Sequence, residues 1–444
     1  MTKSSHAARV AAVAGMASLA LVLGACGEPS PSTGPSSGTA SGTPSTSGEK
    51  LTLTVATFSE FGYADLYKEY MKEHPNVTIV EKKAATGADA RTNMMTKLAA
   101  GSGLSDIEAV GNDWIAELLP YADKFNDLGS PDINSRWADW VNKMATAPDG
   151  TLIGYGTDLG PMALCYRGDL FAKAGLPSDR DAVTQLLGGK DATWERYFEV
   201  GHQFQEKSGG VKWLDATVFL YQPSLSQLPV TFENTDGSVL DLATNEPIKK
   251  VYDLLTAPDT VDLSAHLAGF SPDWVSAFQQ GSFATMLCPA WMTTIIEGNS
   301  AGVVGWDMAD VVPGGGANSG GSYLTVPKQT KHPDEAKALA AWLTAPEQGA
   351  TVFTSVGNYP SQIEAQNAPD VKSKVNPFFN NAPVGQIYAS RAAAITGISF
   401  RSENYQTVRK IVNNAINRVD IDQTDDPATS WDKAVQEFNG LGLS

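Results

Sequence analysis

Aromatic side chains that stand beside polar ones are the residues of this sequence best suited to binding chemistry. Phe58, Phe61 and Tyr63 follow the first predicted strand, and Asp113 and Trp114 follow the third. Sugars present apolar C–H faces together with hydroxyl groups, so a sugar site combines aromatic platforms with carboxylate, amide and guanidinium groups. Ligands of open α/β sheets bind outside the carboxyl ends of the strands. These positions therefore favour a carbohydrate site at such an end.

Further aromatic residues accompany turn-forming segments later in the chain. They are Phe270, Trp274, Trp291, Trp306, Tyr323 and Tyr359. Each ring taken alone is explained as well by a place in the hydrophobic core, because aromatic side chains bury large apolar areas. Trp114, which follows two polar residues, and Trp291, which follows Pro-Ala, are the rings we most expect at a ligand surface.

Catalytic chemistry has little support in the sequence. The chain has five histidines, and His74, His202, His266 and His332 are far apart. None has a metal-ligand spacing, which argues against a metalloenzyme or a histidine-based hydrolase. The glycine-rich segment 314–321 lacks the patterns of phosphate and dinucleotide loops, so no cofactor is expected. A glycosidase needs two carboxyl groups about 5 to 9.5 Å apart. A sequence does not show that separation, so a secreted glycosidase stays an alternative.

The N-terminal residues have the layout of a secretory signal peptide. Two basic residues precede an uncharged apolar run over 10–23, which is shorter than the about 20 residues that span a bilayer. The run ends in Leu-Gly-Ala-Cys, which resembles the lipobox of bacterial lipoproteins. We expect residues 1–25 to be removed and Cys26 to be lipidated. An ordinary signal peptide, in which Cys26 merely follows the cleavage site, is the alternative.

Residues 26–50 are predicted to be a flexible tether behind the lipid. Positions 27–48 are nearly all Ser, Thr, Pro and Gly, with no large apolar side chain. Such a composition does not bury enough surface to offset its ordering entropy. The net charge of the chain is −17, which argues against binding to nucleic acid or to an anionic membrane surface, since both require a positive field.

Alternating strand and helix patterns predict an α/β fold. Strands are predicted at 51–57, 77–80, 106–111, 161–167, 211–220 and 283–288, with helical patterns between them. Such alternation implies parallel strands joined by crossover helices. With 444 residues, the chain exceeds what one hydrophobic core normally serves, so two lobes are expected.

Cys165 and Cys288 remain once Cys26 is assigned to a lipid. Both lie in apolar, strand-like settings. Export permits oxidation and an even number of cysteines favours pairing, so we expect a disulfide. Two inert buried thiols are the alternative.

Four stretches carry a resemblance to a known family. They are 55–63 (VATFSEFGY), 162–177 (MALCYRGDLFAKAGLP), 270–292 (FSPDWVSAFQQGSFATMLCPAWM) and 320–362, from GGSYLTVPK to NYPSQ. The chain resembles the family 1 extracellular solute-binding proteins of ABC sugar importers, the maltose-binding-protein-like family. Within that family it is most similar to the actinobacterial cellobiose and cello-oligosaccharide binders.

The resemblance implies a two-lobed periplasmic-binding-protein-like fold of type II, in which the chain crosses between lobes three times. The crossings are expected near 158–161, 320–322 and 358–361, where Gly or Pro lets a hinge absorb rotation. Lobe 1 would comprise 51–158 with 323–360. Lobe 2 would comprise 161–322 with 361–444.

The resemblance also implies site residues in the cleft. Glu60 stands where the loop after the first strand supplies a polar sugar contact, Asp113 and Trp114 where the loop after the third strand does, and Trp291 where an aromatic ring of the second lobe stacks on a sugar. Candidates at the hinges or cleft edge are Asp158, Gly321, Ser322, Asn358 and Tyr359. Arg391, Phe400 and Tyr405 belong to a helical stretch that often lines the cleft. Trp274, near Phe270, completes the predicted set.

The expected function is that of a lipid-anchored, extracytoplasmic protein that performs no reaction. It would be a monomer that captures a β-linked oligosaccharide, cellobiose or a cello-oligosaccharide, by hinge closure and passes it to the permease subunits of an ABC transporter. Xylo-, manno- and malto-oligosaccharides are alternative ligands. A surface sensor with a signalling partner is an alternative role.

Overall fold

The computed structural model describes residues 49–395 and 399–443. The predicted signal peptide, Cys26 and the tether up to residue 48 lie outside the described residues. The chain from residue 49 onwards belongs to one compact unit.

Strands β1 to β9 are formed by Leu51–Phe58, Val77–Ala84, Ile107–Gly111, Gly154–Arg167, Lys212–Leu214, Phe283–Pro289, Trp306–Ala309, Asn318–Thr325 and Tyr359–Pro360. Helices α1 to α19 are formed by Ala64–Glu73, Gly87–Ala99, Pro131–Asn134, Asp139–Met144, Gly168–Lys173, Arg180–Leu186, Trp194–Gln205, Tyr221–Ser226, Glu246–Thr256, Pro258–Asp262, Pro272–Gln280, Met292–Asn299, Pro333–Leu343, Pro346–Val356, Ile363–Asn367, Pro369–Ser373, Val384–Ala393, Tyr405–Asp420 and Pro427–Asn439. Short 3-10 helices lie at Ile115–Lys124, Gly189–Asp191, Thr217–Leu220 and Leu242–Thr244.

The first βαβ units follow the sequence pattern closely. Leu51, Leu53 and Val55 of β1 are buried and alternate with more exposed positions, as expected for a strand with one face on a core. Helix α1 buries its apolar face and ends before Pro75. Helix α2 begins at an N-cap, Thr86, whose side chain accepts from the backbone N–H of Asp89. β1 pairs in parallel with both β2 and β3.

The strand order is β2-β1-β3-β8-β4-β6-β5, with β7 and β9 also paired to β4. The long strand β4 joins the two parts of this arrangement, because it pairs antiparallel with β8 and β9 near its start and with β6 and β7 further on. The expectation of parallel strands is therefore wrong for this central part. The antiparallel partners of β4 are the strands β6 to β9, all of which lie more than one hundred residues after β4 in the chain.

The three expected crossings lie side by side. Asp158 of β4 is opposite Ser322 of β8 and Pro360 of β9. Leu159 is opposite Gly321 and Tyr359. The lobe boundaries themselves stay a prediction.

One predicted strand is mostly wrong. Of positions 211–220, only Lys212–Leu214 are extended, and a 3-10 helix follows at Thr217–Leu220. The buried Asp420 carboxylate explains the change, because it accepts from the backbone N–H of Thr217 at 2.6 Å and from its hydroxyl at 3.0 Å. The backbone N–H of Thr217 is therefore bonded to a side chain and not to a neighbouring strand. The predicted helix after Asp113 is a 3-10 helix with Pro120 inside it.

Three hydrophobic cores form among the described residues. One packs around β1, β3 and the following helices. The others lie on opposite faces of β4, since Met162, Leu164 and Tyr166 face one core and Ala163 and Cys165 the other. A strand buried on both faces reads as a continuous apolar run, which is the pattern of 162–166.

The predicted disulfide is present. Cys165 of β4 and Cys288 of β6 are bonded, with their Cα atoms 5.8 Å apart. Because the sequence separation is 123 residues, the bond restricts a large loop in the unfolded chain. In the described part of the chain, no helix combines the length and apolar character needed to cross a bilayer.

Candidate functional site

A cavity of about 820 Å³ opens at the carboxyl ends of β1 and β3. It is bounded by β8, by the start of α12 and by one face of α18. Ten of the residues expected at the site line it: Phe58, Glu60, Phe61, Asp113, Trp114, Asp158, Trp291, Gly321, Ser322 and Asn358. The cavity therefore lies where the rule for α/β sheets expects a ligand, at the carboxyl ends of strands.

Glu60 is fixed by the turn that follows β1. Its carboxylate accepts from Lys83 Nζ at 2.7 Å and from the backbone N–H of Gly62 at 2.8 Å. Burial alone raises the pKa of Glu60, but the two hydrogen bonds outweigh it and hold the pKa below its ordinary value. Asn358 Nδ2 donates to the Glu60 carbonyl at 2.8 Å. The turn thus presents a charged acceptor that is tied to the third crossing segment.

Asp113 connects the turn after β3 with α18. Gln406 Nε2 donates to Asp113 Oδ2 at 3.2 Å, and Arg409 Nη1 lies 3.8 Å from the same oxygen. Trp114, the next residue, has only 2% of its surface exposed. It lines the cavity although nearly all of its surface is buried in the core.

Asp158 is half-buried in the cavity wall where β4 crosses. Thr157 Oγ1 donates to its carboxyl at 2.6 Å, and the Ser322 backbone N–H donates as well. Burial outweighs these bonds and raises the pKa of Asp158 to about 6. The carboxyl can therefore accept from a ligand hydroxyl above that pH and donate to one below it.

Trp291 directs the N–H edge of its indole ring at the backbone of β8. Its Nε1 donates to the Ser319 carbonyl at 2.8 Å. A Cβ at Gly320 would come within 2.6 Å of the same nitrogen, and Gly320 has a φ of +95°. Only glycine permits this approach. The half-buried indole leaves part of its surface to the cavity, as an aromatic platform requires.

Three predicted aromatic contacts are core residues. Trp274 has no exposed surface, and its Nε1 donates to Asp215 Oδ2 at 2.9 Å. Tyr359 and Tyr63 are also buried, at 1% and 3% exposure. None of the three lines the cavity. Helical or strand spacing alone does not separate an aromatic core residue from a ligand platform.

The later predicted residues lie away from the cavity for separate reasons. Arg391 forms an ion pair with Asp310, with Nε 2.6 Å from Oδ1. Tyr405 is buried at the start of α18, where the Arg401 guanidinium lies 4.5 Å from the centre of its ring. Phe400 is exposed and belongs to no helix or strand.

The polar face of α18 is what the sequence reasoning missed. Gln406, Lys410 and Asn414 follow each other at four-residue spacing and all line the cavity, as side chains of one helix face should. Arg91 of α2 lines it too, and its guanidinium holds both oxygens of the buried Glu117, with Nε 3.0 Å from each. The spacing in α18 was visible in the sequence but equally typical of a solvated face.

Comparison with known proteins identifies the family. A model of the bacterial extracellular solute-binding proteins matches residues 65–380. The chain belongs to this family. A solved structure described as an extracellular solute-binding protein of family 1 is 44% identical, with a TM-score of 0.79 over 88% of this chain and 99% of that one. The predicted resemblance is thus confirmed at the level of the family.

Two further relatives extend this solute-binding protein's comparison. The arabinooligosaccharide-binding protein of Bacillus subtilis is 26% identical over 348 residues, 74% of this chain and 77% of its own. The ABC-transporter-associated binding protein of Bifidobacterium animalis, solved with β-1,6-galactobiose, is 18% identical with a TM-score of 0.72, over 89% of this chain and 99% of its own. The fold is the two-lobed, maltose-binding-protein-like α/β fold that was predicted. Members of the family bind solutes outside the cell, and the chain is a binding protein and not an enzyme.

Proposed function

We propose that this solute-binding protein captures an oligosaccharide on the outer face of the cell membrane and delivers it to an ABC permease. The observation that carries the proposal is the cavity of about 820 Å³, in which aromatic surfaces of Phe58, Phe61 and Trp291 accompany the charged or amide groups of Glu60, Asp113, Asp158, Arg91 and Lys410. Aromatic platforms with surrounding acceptors and donors suit the two kinds of surface that a sugar presents.

Two sugar classes are candidates for the ligand. The sequence resemblance favours cellobiose or a cello-oligosaccharide. A second class, arabino-oligosaccharides, is favoured by the curated relatives in Bacillus subtilis and Halalkalibacterium halodurans, both of which are described as arabinooligosaccharide-binding proteins. Both classes place hydroxyl groups around an apolar ring face, so the cavity chemistry suits either.

Closure around the ligand would use the three paired crossing segments. We assign lobe 1 to 51–158 with 323–360 and lobe 2 to 161–322 with 361–444, so the contact of Asp113 with Gln406 joins the lobes. Gly320 and Gly321 have φ values of +95° and +100°, a backbone region that leaves glycine freer than other residues. A rotation at these segments would change the width of the cavity.

The lipid anchor completes the proposal. Cys26, lipidated after removal of residues 1–25, would hold the binding domain near its permease through a tether over 26–50. The acidic surface, with a net charge of −17 for the whole chain, supports solubility and not adhesion to anionic lipid.

Calorimetry on the chain from residue 49 onwards tests the function. The ligands are cello-, arabino-, xylo-, manno- and malto-oligosaccharides, each also incubated with the protein and assayed for new reducing ends. Binding to one series without hydrolysis is expected. Trp291→Ala should weaken that binding at least about tenfold by loss of the stacking surface, whereas Val304→Ala, at an exposed position outside the cavity, should not. Failure of every series to bind would refute the proposal.

A further inference from the structure

A second cavity, of about 450 Å³, shares Trp291 with the first. Both volumes fall within the about 300 to 1,000 Å³ typical of small-molecule sites. The second cavity also takes in the rings of Phe219 and Phe270. It therefore has aromatic surfaces, as the first cavity has, and Trp291 lines both.

Helix α18 supplies polar groups to both cavities. Its residues Gln406, Lys410 and Asn414 line the first cavity, and Arg409, Asn413 and Asn417 line the second. Each set repeats every four residues and so forms a row along the helix. Two adjacent rows of amide and cationic side chains therefore continue the polar lining from one cavity to the next.

The loop that carries Phe270 has an unusual backbone. Phe270 has a φ of +62°, a conformation that is costly for a large side chain, yet 58% of its surface is exposed. A Cβ on the preceding Gly269 would come within 2.3 Å of Phe219 Cζ, so glycine is required for the loop to pass this ring. Strained residues cluster at ligand sites, where surrounding structure maintains them. Here the strained backbone holds an apolar ring at the mouth of a cavity.

Polar atoms around the second cavity lack partners. Gln222 Oε1, Arg409 Nε and Asn417 Oδ1 are buried from solvent, with no hydrogen-bond partner among the described residues. All three side chains line this cavity. A buried polar group without a partner costs free energy, and a terminal amide turns readily about its last bond. Rotation of the Gln222 and Asn417 amides toward the cavity would let the hydroxyl groups of a ligand supply their missing partners.

We propose that the second cavity binds a further sugar unit of the same ligand, so that the oligosaccharide passes across Trp291 and occupies both cavities. This inference rests on the proposed function. It adds that the preferred ligand has enough sugar units to occupy both cavities. A disaccharide is accommodated within the first cavity, and only longer chains reach Phe270 and Asn413 of the second. Affinity should therefore rise with the number of sugar units in the series that binds.

Calorimetry with ligands of increasing length tests the inference. The probes are the cello- and arabino-series from disaccharide to hexasaccharide. Phe270→Ala and Asn413→Ala should each lower the affinity for the hexasaccharide about three- to tenfold, the range of one lost aromatic or polar contact, and leave disaccharide affinity unchanged. Val304→Ala, with 83% of its surface exposed and lining neither cavity, is the matched control. Thermal melting verifies that each variant is folded.

The outcomes separate the two proposals. Folded variants that bind every length as the wild type does, or that lose the same factor for every length, overturn the second-cavity inference alone. A wild type that binds no sugar refutes the proposed function and the inference with it. A crystal structure of the hexasaccharide complex with no sugar density beside Phe270 would also overturn the inference.

Discussion

Replacement of Asp158 by Asn should stabilise the protein at neutral pH. Burial raises the pKa of this carboxyl from 3.8 to about 6, so the folded state holds its proton more tightly than the unfolded state. The protonated form therefore stabilises the fold fully below pH 3.8, and this stability is lost as the pH rises through about 6. Since one pKa unit corresponds to about 1.4 kcal/mol, the charged carboxylate costs roughly 3 kcal/mol above that range.

Asparagine removes the charge and keeps the local hydrogen bonds. Its side-chain oxygen can still accept from Thr157 Oγ1 and from the Ser322 backbone N–H, the two donors that Asp158 uses. Thr157 has a second acceptor in the Ser322 carbonyl at 3.0 Å. The substitution should therefore leave the crossing of β4 and β8 intact.

Urea unfolding between about pH 4 and pH 8 measures the effect. The free energy of unfolding of Asp158→Asn should match that of the wild type near pH 4 and exceed it by roughly 3 kcal/mol at pH 7.5. Asp132→Asn, at an exposed position, provides the baseline for removing one carboxylate from an acidic protein. A difference of equal size at every pH, or a less stable Asn variant at pH 7.5, would show that burial does not control this carboxyl.

Four other variants separate roles in stability, in sugar binding and in membrane anchoring. The double variant Cys165→Ala/Cys288→Ala should lower the free energy of unfolding by up to about 5 kcal/mol because it frees a long loop; urea unfolding of the oxidised wild type and of the variant measures this, and equal stability would contradict it. Trp274→Ala should cost about 3 to 5 kcal/mol of stability, whereas Trp291→Ala should mainly weaken sugar binding, so calorimetry and thermal melting on both variants should give opposite rankings. Cys26→Ala should release a protein that still binds its sugar into the medium, and fractionation that finds the variant still in the membrane would argue against lipid anchoring.

The first strands and helices could be predicted because they are set by neighbouring residues. Alternating apolar residues in β1, the Thr86 cap of α2 and the proline after α1 each act within one or two turns of chain. The same local rules gave the strand ends at which Glu60 and Asp113 stand. Much of one wall of the cavity was thus visible in the sequence.

The remaining wall depends on pairs that are distant in sequence. Gln406 reaches Asp113 across 293 positions, and Asp420 binds Thr217, just beyond the short strand β5, across 203 positions. No local pattern encodes either contact. Local sequence also did not predict which aromatic side chain is buried, because Trp274 and Trp291 are both tryptophans beside turn-forming residues. Only the packing of other segments decides that one is core and the other faces the cavity.

The position of β8 has a consequence for the order in which the protein can be built. β3 pairs with β8, and Tyr323, Leu324 and Val326 belong to the core that packs around β1. The sheet and the core around β1 and β3 are therefore complete only after β8 has been made, more than two hundred residues later. Under the export that we propose, this dependence would delay folding on the cytoplasmic side, because the sheet would be complete only after most of the chain had been made.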